Sequence, residues 1–123
     1  MFENFTRTEI KTSGARIVAV HGGNGPPVLL MHGNPFTHAT WHAIAPKLAE
    51  EFTVVATDLR GYGDSEKPPG DADHAAYSFR AMAQDQVEVM AALGFDRFYA
   101  AGHDRGARVL HRMCLDQSQK VAR

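Results

Sequence analysis

With 123 residues, 44% of them hydrophobic, the chain is long enough for one globular domain spanning residues 1-123 with a real core, and it is neither disordered nor fibrous in composition. Thirteen basic against fourteen acidic side chains leave a formal charge of -1, which supplies no field for holding nucleic acid or an anionic membrane, so neither is expected as a partner. The single cysteine, Cys114, excludes an internal disulfide, and no Cys/His spacing suits zinc; with no basic leader ahead of an apolar run and no apolar segment of membrane-spanning length, a cytoplasmic protein without metal or cofactor is expected.

The predicted elements follow the glycine and proline punctuation. Thr6 to Thr12 and Ala15 to Val20 form a β-hairpin about Ser13-Gly14, and His21-Gly22-Gly23-Asn24-Gly25 ends it. Val28-Leu29-Leu30-Met31 is a short apolar run of the kind buried on both faces, and it stops at His32-Gly33-Asn34-Pro35. From about His38 to Glu50 the residues Trp41, Ile44, Ala45, Leu48 and Ala49 recur at helical spacing, with Lys47 and Glu50 outside the stripe and Trp41 read as core.

Phe52 to Thr57 is a second buried strand, leading into the loop Asp58-Leu59-Arg60-Gly61-Tyr62-Gly63-Asp64-Ser65. Ser78 to Leu93 carries Phe79, Met82, Ala83, Val87, Met90 and Leu93 on one helical face, with Gly94 as the stop. Arg97 to Ala101 returns as a strand, and Gly106 to about Lys120 reads as a helix with Ala107, Leu110, Met113 and Cys114 inward, Cys114 as a small buried hydrophobe.

After the hairpin, the alternation of strands and helices implies an α/β fold whose parallel strands are joined by right-handed crossovers, with helices on both faces. Reactive groups in such sheets gather at the carboxyl ends of the strands. The segments at His32, Asp58 and Asp104 each follow a strand, so they are expected to meet at one edge. Gly102-His103-Asp104-Arg105-Gly106 places small residues two positions either side of Asp104, which lets a strand turn sharply into a helix and hold the middle side chain out in a strained conformation. The plainer reading of Asp104 is a cap on the third helix, and that of Arg105 and Arg108 is a pair of solvated arginines bridging to Asp96 or Asp116.

His32-Gly33-Asn34-Pro35, Asp58-Leu59-Arg60-Gly61-Tyr62-Gly63-Asp64-Ser65 and Gly102-His103-Asp104-Arg105-Gly106 resemble successive signatures of the α/β-hydrolase fold. Aspartate at the turn is similar to haloalkane dehalogenases, epoxide hydrolases and haloacetate dehalogenases. The run His103-Asp104-Arg105-Gly106-Ala107-Arg108 is similar to the haloacetate (fluoroacetate) dehalogenases. That resemblance implies that Asp104 is the nucleophile, displacing halide from a short 2-halo carboxylic acid to form an ester, and that Arg105 and Arg108 bind the substrate carboxylate. It further implies that the backbone N–H groups of Asn34 and Arg105 form the oxyanion hole. The Asn34 amide has a second role in one subgroup of haloalkane dehalogenases, on the halide. Arg60 and Asp64 would brace the site's rim or form a solvent-facing salt bridge, and His32 and His103 would pack beside the nucleophile.

Members of the family continue beyond a stretch of this length with a cap domain, further strands, and the histidine and acid that activate water. The chain is therefore expected to be an N-terminal half, with the cap and C-terminal strands absent, whose ester intermediate would persist for want of a base. Phe98 to Ala101 would be left as a hydrophobic edge through which chains could self-associate. The alternatives are an epoxide hydrolase and a catalytically silent fragment that keeps the fold.

Overall fold

A computed structural model describes residues 5–32, 41, 43–67 and 78–121. The alternating β-rich runs assemble into one five-stranded sheet in the order β1-β2-β4-β3-β5. Strands β1 (Thr6–Lys11) and β2 (Arg16–Gly23) pair antiparallel, with Thr6 opposite His21 and Lys11 opposite Arg16. Strand β3 (Pro27–Met31) lies parallel to both β4 (Thr53–Thr57) and β5 (Tyr99–Gly102), and β2 joins the parallel part by an antiparallel ladder to β4.

Alternation along the central strands divides the core between the two faces of the sheet. Ile17, Ala19, Leu29, Met31 and Val55 point to one side, where they meet Met82, Ala83, Val87, Val89 and Met90 of helix α2 (Phe79–Ala92) and Val109 and Met113 of helix α3 (Arg105–Asp116). Val20, Val28, Leu30, Val54 and Ala56 point to the other, packing on Ala45 of the short helix α1 (Ala45–Leu48) and on Trp41. Trp41 thus sits against the core as expected, with its indole Nε1 buried and without a hydrogen-bond acceptor among the described residues.

Several boundaries differ from the sequence expectation. Strand β2 continues through His21-Gly22-Gly23 instead of turning there, because it has neighbours on both sides and its ladder to β4 runs on to Gly23 opposite Thr53. The predicted helix over 38–50 is observed only as Ala45–Leu48, residues 33–40 and 42 lying outside the described ones. Pro46 falls in the first turn, the one place in a helix where a missing N–H costs nothing, and so it marks a start rather than an interior. Ile44, expected inward, precedes that start and is 48% exposed.

Helix α2 begins at Ser78, whose hydroxyl accepts the Ala81 N–H at 3.1 Å, and stops before Gly94, which has a φ of 96°. In α3 the predicted inward set holds for Met113, which is buried, and for Leu110, which packs against the core, but not for Ala107 and Cys114. Gly106, Val109 and Met113 face inward, while Ala107 and Cys114 are exposed. The cause is the turn before it, which presses Gly106 against the end of β3 and so sets the helix's rotation. A 3-10 turn (Ser118–Lys120) follows, and its Lys120 carbonyl accepts the Phe98 N–H at 2.9 Å while Val121 bridges Phe98 in parallel. Phe98 is consequently buried rather than part of an open edge; the exposure begins at Tyr99. Among the described residues no helix is long and apolar enough to cross a membrane.

The turn of the β1–β2 hairpin is fastened to α2. The Ser13 backbone N–H and hydroxyl donate to the two oxygens of Glu88, at 2.7 and 2.8 Å. Burial pushes the Glu88 carboxyl up, but the two donations from Ser13, with help from Gln84 and the Arg60 charge, outweigh it and hold the group below its usual 4.5. A lowered folded value means that the clamp contributes fully above the unfolded value and is lost as pH falls through the folded one. Wild-type stability relative to Glu88→Gln is thus expected to decline by less than about 1 kcal/mol as the pH is lowered from 6 to 3, roughly the range below the ordinary carboxylate value. Denaturant titrations at each pH measure it, and a difference independent of pH would refute the clamp.

Candidate active site

The parallel strands β3, β4 and β5 all end on the same side, so the segments that follow them are brought together. The His103 N–H donates to the Met31 carbonyl at 3.0 Å, tying the turn after β5 to the end of β3. His32 is wholly buried. Its Nε2 accepts the Leu59 N–H at 3.0 Å, and its ring meets the edge of Tyr62 at a centroid distance of 5.3 Å, so the loops after β3 and β4 are joined as well. The expected convergence of the three segments is observed. His32 packs beneath the site as expected, whereas His103 is exposed.

At the centre of this edge Asp104 has φ 55° and ψ -114°, the only positive φ of a non-glycine residue among the described ones. This backbone region is costly for a residue with a Cβ and persists only where the surroundings impose it. The two flanking glycines do so. A Cβ on Gly102 would lie 2.5 Å from the Gly106 carbonyl, and one on Gly106 would strike the Met31 carbonyl oxygen and lie 2.5 Å from that of His32. Strand, turn and helix therefore close in on one another to backbone contact. Asp104 occupies the N-cap position of α3, but its side chain makes no capping hydrogen bond, which disfavours the reading of it as a helix cap.

The Asp104 side chain is exposed and opens on a cleft of about 250 Å³ lined by Phe79, Asp104, Arg105 and Arg108. The two arginines follow from the first turn of α3, three residues apart and thus on one side of the helix. Neither makes an ion pair with a described residue: Asp116, one of the partners that the plainer reading offered, is bound by Arg80 at 3.0 Å and by Arg112 at 3.4 Å. The Arg105 guanidinium lies 5.7 Å over the centroid of the Phe79 ring. Asn34, the other predicted oxyanion residue, lies outside the described residues. Among those residues no group of three or more His, Cys, Asp or Glu is placed to hold a metal ion.

Arg60 differs from both sequence expectations. It is neither at the rim nor in solvent: with 5% of its side chain exposed, it binds the 1% exposed Asp85 of α2 through Nε to Oδ2 at 2.6 Å and Nη2 to Oδ1 at 2.7 Å. The Thr12 hydroxyl lies 2.7 Å from the same Oδ1, which makes Asp85 the knot between the hairpin turn, the loop after β4 and α2. Asp64 instead lies on the surface, 3.7 Å from Arg7, and its N–H donates to the Asp58 carboxylate at 3.0 Å. Phe79, expected in the core, packs against it half-buried and also forms part of the cleft wall. The signal for it was its place directly after the helix-capping Ser78, which puts it at the start of a helix rather than on its packed length.

The chain matches the alpha/beta hydrolase fold family over residues 26–123. It is 54% identical over 121 residues to a fluoroacetate dehalogenase from a Burkholderia species, with 98% of this chain and 40% of that protein covered. A soluble epoxide hydrolase from Corynebacterium sp. (strain C12) is 39% identical over 123 residues, covering all of this chain and 41% of that one. Of solved structures, ALR0039 from Nostoc sp PCC 7120 superimposes with a TM-score of 0.97 at 60% identity, covering 98% of this chain and 42% of that one. The chain thus spans about two-fifths of the length of the relatives it matches. With strand order, strained turn and family match in agreement, the chain belongs to the alpha/beta hydrolase fold family.

Proposed function

We propose that these residues form the nucleophile-bearing part of a hydrolase of the haloacetate dehalogenase type. The observation that carries the reading is a carboxylate held out on a strained turn beside two arginines that no described acid neutralises. A guanidinium presents paired donors to a carboxylate, so Arg105 and Arg108 can hold that end of a 2-halo acid while its α-carbon faces Asp104. An Asp104 oxygen then attacks the carbon from the side opposite the halogen. The carbon–oxygen bond forms as the carbon–halogen bond breaks, and halide leaves with the electron pair. As the first residue of α3, Arg105 also has a backbone N–H that the helix does not use, available to the carbonyl oxygen of the resulting ester together with that of Asn34.

Epoxide hydrolysis is the second reading, favoured by the similarity to the Corynebacterium enzyme. The paired arginines speak against it, because a neutral epoxide has no anion for them to bind. Treating the 123-residue chain with iodoacetate in a Cys114→Ser background, which removes the exposed thiol, is expected to add one carboxymethyl group to Asp104, located by peptide mass measurement. The adduct is expected to persist, since among the described residues no histidine lines the cleft. Adducts confined to histidines would overturn the nucleophile assignment, and many halides released per chain would overturn the persistence.

A further inference from the structure

We propose that Phe79 is a positioning residue for Arg105, holding its guanidinium over the cleft so that the carboxylate clamp is formed before substrate arrives. This inference rests on the reading of Arg105 as a clamp and adds to it a residue from a different element. Phe79 is the first residue of α2, placed there by the capping bond from the Ala81 N–H to the Ser78 hydroxyl. Its ring lines the nucleophile's cleft and also the two adjoining ones of about 360 and 380 Å³, so it is the wall common to all three. Arg105 Cζ lies over that ring at 5.7 Å from the centroid, within the range at which an aromatic face attracts a cation.

The choice of an aromatic partner has a chemical consequence. An acidic partner would order the arginine just as well, but it would occupy the N–H donors and compete with an incoming carboxylate. A ring face restrains the guanidinium through its charge and its flat surface and takes none of its five N–H donors. Because no described acid pairs with Arg105, those donors stay available on the cleft side. Phe79 thereby acts on the orientation of a charged substrate and not on the displacement itself.

The test measures the rate of Asp104 alkylation, in the Cys114→Ser background, against the concentration of iodoacetate and of its uncharged counterpart iodoacetamide. In Phe79→Leu, which keeps an apolar side chain, the half-saturating concentration of iodoacetate is expected to rise about three- to tenfold while the iodoacetamide rate changes less than about twofold. Phe79→Tyr should restore the wild-type value, and Phe79→Leu should add nothing further in an Arg105→Ala background. Equal slowing of both reagents, failure of tyrosine to restore binding, or an undisturbed iodoacetate curve in Phe79→Leu would each overturn the proposal. If the wild type itself takes no reagent on Asp104, the nucleophile reading falls and this one with it, whereas a reactive wild type with an unaffected leucine variant removes Phe79 alone.

Discussion

Asp85→Ala is expected to destabilise the fold by about 3–5 kcal/mol, seen as a large drop in the denaturant midpoint. The size comes from what is left behind. Arg60 is only 5% exposed, and Asp85 gives its buried guanidinium a two-bond carboxylate partner whose loss removes most of the compensation for its desolvation. The Thr12 hydroxyl loses a partner in the same step, so the hairpin turn is loosened from α2. Replacing both ends, as in Arg60→Met with Asp85→Leu, should cost less than Asp85→Ala alone, because no buried charge is then left without its carboxylate. A single-variant loss below about 1 kcal/mol would show that Arg60 finds solvent by moving, and that the pair does not anchor this region.

Gly106→Ala is expected to cost about 3 kcal/mol or more and to abolish alkylation of Asp104 in whatever folded chain remains. Its Cβ would lie 2.5 Å from the His32 carbonyl oxygen and strike that of Met31, and both obstacles are backbone at the end of a central strand, not the tips of flexible side chains. Relief requires α3 to move away from β3, which turns Asp104 and both arginines out of their common cleft. Leu115→Ser, at a 61% exposed position on the same helix, serves as the control and should change stability by no more than about 0.5 kcal/mol. Full reactivity in the Gly106→Ala chain would show that the close approach is not what sets the nucleophile's position.

The sheet could be read from the sequence because its strands are short β-branched and apolar runs between glycines and prolines, and because α2 is long enough for its period to be unmistakable. Helix α3 shows what that method misses. Its apolar residues allow two neighbouring phases, and only the contact of Gly106 with the end of β3 selects the one that leaves Ala107 and Cys114 outside. The Arg60–Asp85 pair was hidden for a different reason: the two residues are 25 apart in the chain, and nothing local marks a charged residue in an apolar helical face as buried. The strained turn at Asp104 was legible because the Gly-x-Asp-x-Gly spacing is itself a statement about backbone geometry, whereas Arg105 and Arg108 were singled out by resemblance alone. Phe79 was not legible, since a phenylalanine at helical spacing reads as core until the neighbouring helix is in place.

The backbone angles of Asp104 bear on how such a site survives through descent. A glycine at this position would adopt φ 55° without the penalty of order 1–3 kcal/mol that a side chain incurs there, so drift governed by stability alone pulls toward losing the carboxylate. The strain is held in place by the close approach of Gly102 and Gly106 to the neighbouring backbone. If Asp104 is the nucleophile proposed above, the turn trades fold stability for chemistry, and a sequence freed from that role would be the first to erase it.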